Sequence, residues 1–334
     1  MRKFLDRLIA GLLSMWVVLQ FVSFPTEIKK VPAANLAAEI QDTWKRLKEK
    51  NLLHGSLLIT QGDRVVFSDG PLDLQYSIAS VSKSFVGARF TELEKSGLDL
   101  NAPVCQWLKN FCKGRLAHIT IEHLLNHQAG FGRDLSFLQF AKRTVNTSWT
   151  IQDIDIQKLD DSYLHSDPGS KMQYSNFGYL VLSRLLEIIE QKSFSVIIQD
   201  LARRAHLHKT STVQRGDVLP IYILMPFSRW GFAWNIENSV YHAAGAGGLK
   251  SSVQDLIQWI DFSYRNSDQD YARGWVRTKK QSYKAYWHNG ATFGSYTLIA
   301  VLPDENIRVA LSIDNFKFTK QWSEMAEQFE QHFY

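Results

Sequence analysis

The sequence predicts an α/β (α+β) protein: an antiparallel sheet flanked by N- and C-terminal helices, with a helical lobe inserted in the middle. Three observations carry that expectation. Amphipathic helical spacing occurs near both ends of the chain, over 35–50 and 322–333. A β-hairpin pattern lies just inside each of these stretches. The long middle repeats its apolar residues at helical intervals instead. Sheet pieces at both ends therefore close into one lobe, and the chain between them forms another. With 334 residues, 45% of them hydrophobic, the chain can bury one large core or two modest ones. The division expected is a leading segment over 1–30 and one catalytic domain over 35–334. Its α/β lobe takes 35–80 and 245–334, and its helical lobe takes 81–244.

Charged residues of both signs are frequent, which excludes a disordered or fibrous chain. The formal net charge of +5 is mild and reads as a solvated basic surface. Nucleic acid is not an expected partner, because no Lys/Arg run is dense enough to form a phosphate-binding patch.

In chain order, Arg2, Lys3 and Arg7 precede an uncharged apolar run from Leu8 to Phe24, and Lys29 and Lys30 follow it. This is the layout of a secretory signal or a single membrane anchor. A run of about 17 residues is at the short end for a spanning helix. Phe21, Val22, Ser23 and Phe24 make a poor cleavage site, so an uncleaved anchor is the preferred reading. The expected location is on the exported side, with the membrane as partner through this segment.

Leu36, Ile40, Trp44 and Leu47 share one helical face. Ser56–Thr60, a polar turn at Gln61–Arg64 and Val65–Ser68 form the first hairpin. Ser80–Ser96 reads as a helix closed by Gly97. Ile121–His127 and Phe177–Lys192 are helical as well. Ser251–Arg265 opens with Ser251 and Gln254 at capping-box spacing. The second hairpin joins Tyr296–Leu302 to Val309–Ile313, and Trp322, Met325, Phe329 and Phe333 mark the closing helix. The two cysteines, Cys105 and Cys112, would stand roughly 10 Å apart on one unbroken helix, too far to bridge. Pairing therefore requires a bend between them, and the sequence leaves both outcomes open.

Three short elements carry chemistry. Ser80-Val81-Ser82-Lys83 sets a hydroxyl one helical turn from an amine, at a helix N-terminus whose free N–H groups suit an oxyanion. A lysine can take the serine proton only if burial favours its neutral form. Tyr174-Ser175-Asn176 precedes an apolar helix and offers a phenol to move a proton and an amide to orient a partner. A second Tyr-x-Asn, at Tyr264 and Asn266, ends a helix and is assigned no role. His288-Asn289-Gly290-Ala291-Thr292-Phe293-Gly294 precedes an apolar strand, and its glycines suit close backbone approach.

In this order and spacing the elements resemble the serine β-lactamase and DD-peptidase superfamily, in particular its class C-like branch. Ile119–His127 followed by Gly130, and Gly247-Gly248-Leu249, resemble the same branch. The resemblance runs from about Leu36 to the C-terminus. It implies that Ser80 attacks a carbonyl while Lys83 and Tyr174 accept its proton and pass it to the leaving group. Asn176 would orient the substrate, and the N–H groups of Ser80 and Ala291 would form the oxyanion hole beside Gly290. His288 would stand where class C β-lactamases carry lysine, hydrogen-bonding Tyr174 or the substrate. Water would release the acyl group, with no metal and no cofactor.

That histidine is the departure from the pattern. Lysine offers a fixed cation for a β-lactam carboxylate, whereas an unperturbed histidine titrates near pH 6–7. Activity is accordingly expected to change through that range. The segment from Tyr174 to Gly247 is also short for the branch. A small-molecule or peptide substrate cleaved by a peptidase, D-amino-acid amidase or esterase is expected ahead of a dedicated β-lactamase. The rival is a non-catalytic protein of this fold that binds cell-wall peptide or lipid. His123 and His127 have a zinc-like spacing, but Leu124 stands where a glutamate would be needed, so packing and hydrogen bonding are expected. His206 and His208, beside Arg203 and Arg204, read as an exposed basic cluster.

Overall fold

The computed structural model describes residues 33–49, 53–132, 150–156, 158–224, 231–237, 242–264, 269–278, 283–292, 295–316, 321–331 and 333. The leading segment, with its anchor expectation, lies outside them.

Helix α1 (Ala33–Glu49) buries Leu36, Ile40, Trp44 and Leu47, the face its spacing marked. Strands β1 (Gly55–Gln61) and β2 (Arg64–Asp69) form the first hairpin. After the short β3 (Tyr76–Ser77), a 3₁₀ turn over Ala79–Val81 leads into α2 (Ser82–Lys95). The helical lobe holds α3 (Ile121–Leu125), α4 (Asn176–Glu190) and α5 (Phe194–Arg204). It continues through β4 (Ser211–Thr212), β5 (Val218–Leu224) and β6 (Gly231–Glu237). The chain returns through the one-turn α6 (Ala244–Gly247), β7 (Leu249–Ser251) and α7 (Val253–Ser263). Strands β8 (Tyr271–Ala272), β9 (Trp275–Arg277), β10 (Tyr286–Thr292), β11 (Ser295–Leu302), β12 (Ile307–Ile313) and β13 (Asn315–Phe316) precede α8 (Gln321–Glu330).

The main sheet is antiparallel, in the order β2-β1-β12-β11-β10-β9-β8. Pairing β1 with β12 closes the first hairpin onto the second, as the sequence led us to expect. Successive strand side chains point to opposite faces. Leu57, Ile59, Trp287, Leu298, Ala300, Val309 and Leu311 pack with α1 and α8 in one core. Leu58, Tyr286, Ile299, Val301 and Ala310 pack with the helical lobe in the other. Burial on both faces explains why these strands read as continuous apolar runs.

The structure corrects or refines several of these readings. Within the mostly helical middle, β5 and β6 pair as a hairpin and β13 joins them in parallel. Pro220 sits inside β5, and a proline in an apolar run lowers its standing as a strand. The cap of α7 is Ser252, whose hydroxyl accepts from Asp255 N, rather than the Ser251/Gln254 pair. Ser251 lies in β7 and its hydroxyl meets Thr210 instead. Cys105 and Cys112 are bonded, with Cα atoms 4.9 Å apart. Separate 3₁₀ turns at Val104–Gln106 and Lys109–Phe111 supply the bend the bridge needs.

Candidate active site

Ser80 lies in the 3₁₀ turn one step before α2, so the helix begins later than its spacing implied. Ala79 is in the left-handed region at φ 43°, a strained place for a residue with a side chain. The turn is held on several sides. Ile78 N–H donates to Leu249 O at 3.1 Å, and Leu249 N–H donates to Ser82 Oγ at 3.2 Å. Gly290 on β10 comes so close that a Cβ there would lie 2.1 Å from Ile78 O and 2.8 Å from Ser80 N. Only glycine fits between the strand and the serine backbone. Ala291 follows it at the exposed end of β10, beyond the two residues of that strand, Tyr286 and Trp287, that pair with β9.

Lys83 is fully buried on the first turn of α2. Its Nζ donates to Ser80 Oγ at 2.9 Å, Asn176 Oδ1 at 2.8 Å and Ala246 O at 2.6 Å. All three acceptors are neutral, and the three donated hydrogen bonds match the three N–H groups of an ammonium. The Tyr174 ring centre lies 4.8 Å from the same nitrogen and that of Tyr179 lies 5.6 Å away. Asn176 opens α4, where Ser175 caps the helix by accepting from Gly178 N. The cap turns the Asn176 amide towards Lys83 while Tyr174 stays just outside the helix. Ser80, Lys83, Tyr174, Asn176 and Gly290 thus converge from the 3₁₀ turn and the first turn of α2, from the start of α4 and the residues just before it, and from β10.

The family model described as Beta-lactamase matches residues 36–328, most of the chain. The chain belongs to the β-lactamase family. Among its relatives, Protein flp of Staphylococcus aureus (strain MW2) is 21% identical over 265 residues, covering 71% of this chain and 52% of its own length. The chain spans about half the length of that curated relative, and less of others it matches. The fold is similar to that of D-amino acid amidase from Ochrobactrum anthropi SV3, with TM-score 0.70 and 17% identity over 89% of this chain and 98% of that one. It is also similar to the octameric penicillin-binding protein homologue from Pyrococcus abyssi, with TM-score 0.66 and 20% identity over 85% of this chain and 74% of the other. At these identities the likeness establishes the β-lactamase-like fold.

Within this β-lactamase-family site, His288 departs from its expected setting. It is 2% exposed and faces the helical lobe, while its neighbour Asn289 points through the sheet to Glu330 of α8. Its Nδ1 lies 2.6 Å from Asn289 O. A carbonyl only accepts, so Nδ1 carries the proton and Nε2 is a bare acceptor, without a partner among the described residues. No hydrogen bond joins this ring to Tyr174. Tyr271 stands edge-on to it instead, with ring centres 5.9 Å apart. Burial, with help from the Lys83 charge, pushes His288 down to about 3. The expected titration of this residue near pH 6–7 is therefore corrected: it is neutral throughout that range.

His127 and His123 also part company. Helix α3 ends at Leu125, and His127 turns away at φ 58°. His123 completes a reciprocal cap with Thr120. His206 and His208 are exposed beside Arg203 and Arg204.

Sequence reading missed the Ala246 carbonyl, Tyr179 and Tyr271. The first had a signal in the run Ala243–Gly248, six small residues that invite close backbone approach. A Cβ on Gly245 would lie 2.2 Å from Val86 and 2.5 Å from the Ser183 hydroxyl. Glycine there seats α6 against α2 and α4, which brings the Ala246 carbonyl onto Lys83. Tyr271 and Tyr179, whose hydroxyls are 3.3 Å apart, come from segments that only tertiary packing joins.

Proposed function

We propose that this chain is a serine hydrolase that cleaves an amide or ester bond through an acyl-enzyme on Ser80. The contact that supports it most strongly is the 2.9 Å hydrogen bond between Ser80 Oγ and the buried Lys83 Nζ. In this reading the Lys83 ammonium that makes this hydrogen bond first gives up a proton, and Ser80 Oγ then attacks the substrate carbonyl as its own proton passes to the free amine. The Ser80 and Ala291 N–H groups hold the oxyanion. The phenol of Tyr174 carries the proton on to the departing amine or alcohol. Water then attacks the acyl carbon, loses its proton to the same base, and frees Ser80. Asn176 keeps Lys83 in place throughout.

The substrate class proposed is that of a peptidase, D-amino-acid amidase or esterase rather than a dedicated β-lactamase. Strand β10 carries no Lys or Arg, and its histidine is buried and neutral. A β-lactam carboxylate would find no fixed cation on it. The similarity in fold to a D-amino acid amidase supports the same choice.

The same proposal places the chain on the exported side of a membrane, held by the apolar run from Leu8 to Phe24. The Cys105–Cys112 disulfide favours an oxidising compartment. Among the described residues, no helix is long and apolar enough to cross a membrane.

A panel of short-chain esters, D-aminoacyl amides and β-lactams tests the assignment through kcat/KM. Turnover of esters or amides above that of β-lactams is expected. A β-lactam as the best substrate would overturn the substrate class.

A further inference from the structure

The residue that holds Tyr174 lies outside the three motifs. His127 stands two positions beyond α3, and its left-handed backbone turns both its carbonyl and its ring towards one segment. The carbonyl accepts from Gln173 N at 2.6 Å. The ring Nδ1 accepts from Ser175 N at 3.1 Å. Both peptide N–H groups flanking Tyr174 are thus anchored on a single residue. The imidazole itself lies against the Tyr174 ring, with centres 4.3 Å apart and planes tilted by 37°.

A histidine that merely filled space would be a poor choice here. Since Ser175 N–H donates to Nδ1, the ring proton sits on Nε2. Among the described residues that buried N–H has no hydrogen-bond partner, and it lies among the rings of Tyr179 and Tyr271, whose centres are 5.1 and 4.5 Å from that of His127. An apolar side chain of similar size would avoid an unpaired buried donor. It could not, however, accept from Ser175 N. Burial, followed by the charge of Lys83, holds this imidazole well below the usual histidine range, so it stays an acceptor at working pH.

We propose that His127 is a positioning residue for the reaction, acting through Tyr174 by fixing the backbone on both sides of the phenol and the plane of its ring beside Lys83. The proposal rests on the serine-hydrolase reading above. It assigns His127 no contact with substrate.

Two variants test it in the full chain. His127→Asn keeps an acceptor near the Nδ1 position and tolerates the left-handed backbone, but loses the ring. His127→Gly keeps the backbone freedom and loses both ring and acceptor. Turnover is normalised to the number of sites phosphonylated by a fluorophosphonate, which bonds through phosphorus to the serine oxygen with loss of fluoride, so that only folded enzyme counts. We expect His127→Gly to lower kcat by about 10²-fold with little change in KM, the cost of a misplaced catalytic group. His127→Asn should recover roughly tenfold of that loss, in proportion to the restored hydrogen bond. The pH–rate profile of His127→Gly should also shift on its acid limb, because Tyr174 no longer adjoins the base. Normalised kcat within about twofold of wild type in both variants, with superimposable pH profiles, would overturn the proposal, being far below a positioning effect. His127→Asn no better than His127→Gly would overturn the hydrogen-bond part of it. A wild-type chain that the probe does not phosphonylate would remove the serine-hydrolase reading and this inference with it.

Discussion

On α2, Lys83 hydrogen-bonds Ser80, Asn176 and Ala246, three neutral acceptors from three segments of the chain. On β10, His288 binds a carbonyl of its own strand and leaves Nε2 bare. Both residues are buried, both are ionisable, and both belong to motifs visible in the sequence. Their neighbours make them different. Lys83 gathers the groups proposed to react, and whatever disturbs it disturbs its bonds to all of them. His288 is a neutral wall whose ring meets Tyr271. A residue's place in a motif therefore marks a candidate site, while burial and partners set its protonation state.

The largest effect expected is on the α2 side. Ser80→Ala should lower kcat/KM by at least about 10³-fold while leaving the fold intact, since the nucleophile is gone. Lys83→Ala should come close to it, because the proposed base is gone, and it also removes the hydrogen bonds to Asn176 Oδ1 and Ala246 O. Steady-state kinetics with circular dichroism on each variant checks both. Activity surviving in Ser80→Ala would end the assignment of Ser80.

Asn176→Ala comes next. Lys83 would keep Ser80 and Ala246 but lose its restraint from α4. We expect kcat to fall by about 10–100-fold, the usual scale for a loosened catalytic group. An unchanged kcat would show that α2 and α6 position the amine without α4.

These two tests bear on the part of the site that was legible in the sequence. Ser80 with Lys83, and Tyr174 with Asn176, sit at short separations next to helix starts, so local pattern was enough. The two terminal hairpins were equally local. The Ala246 carbonyl was not legible, because every residue has one and only the seating of Gly245 brings it to Lys83. Tyr271 meets His127 and His288 across three separate segments. His127 itself sat in a readable pattern, but its helix-like spacing from His123 hid the turn at φ 58°. The protonation of His288 followed from burial, which no spacing reveals.

A third prediction isolates that protonation. His288 is neutral in the fold but gains a proton when unfolded below about pH 6.5. The unfolded chain then binds more protons, so stability falls as pH drops from about 6.5 towards 3. His127 acts with the same sign. Glu330 acts oppositely. Burial pushes its carboxyl from 4.5 up to about 7, so its share of stability is complete at low pH and is lost as pH rises through that window. Comparing wild type with His288→Gln leaves the other two groups in place. The variant should lose less stability on acidification, by up to about 1.4 kcal/mol per pH unit within the window. Urea unfolding at neutral and mildly acid pH measures it. Equal losses in both proteins would show that His288 titrates normally in the fold.

The smallest effect is expected at Tyr264, which packs its ring against Tyr286 and Trp275 at the end of α7. Tyr264→Phe keeps that packing and should leave kcat/KM unchanged. A large loss would mean that the second Tyr-x-Asn belongs to the site after all.

The most direct test of the central claim is mass spectrometry of the chain after brief exposure to a fluorophosphonate or an activated ester, followed by peptide mapping. The account predicts one covalent adduct, on the peptide containing Ser80, that is absent from Ser80→Ala and slow to form in Lys83→Ala. No adduct in the folded wild-type chain, or an adduct that persists in Ser80→Ala, would contradict it.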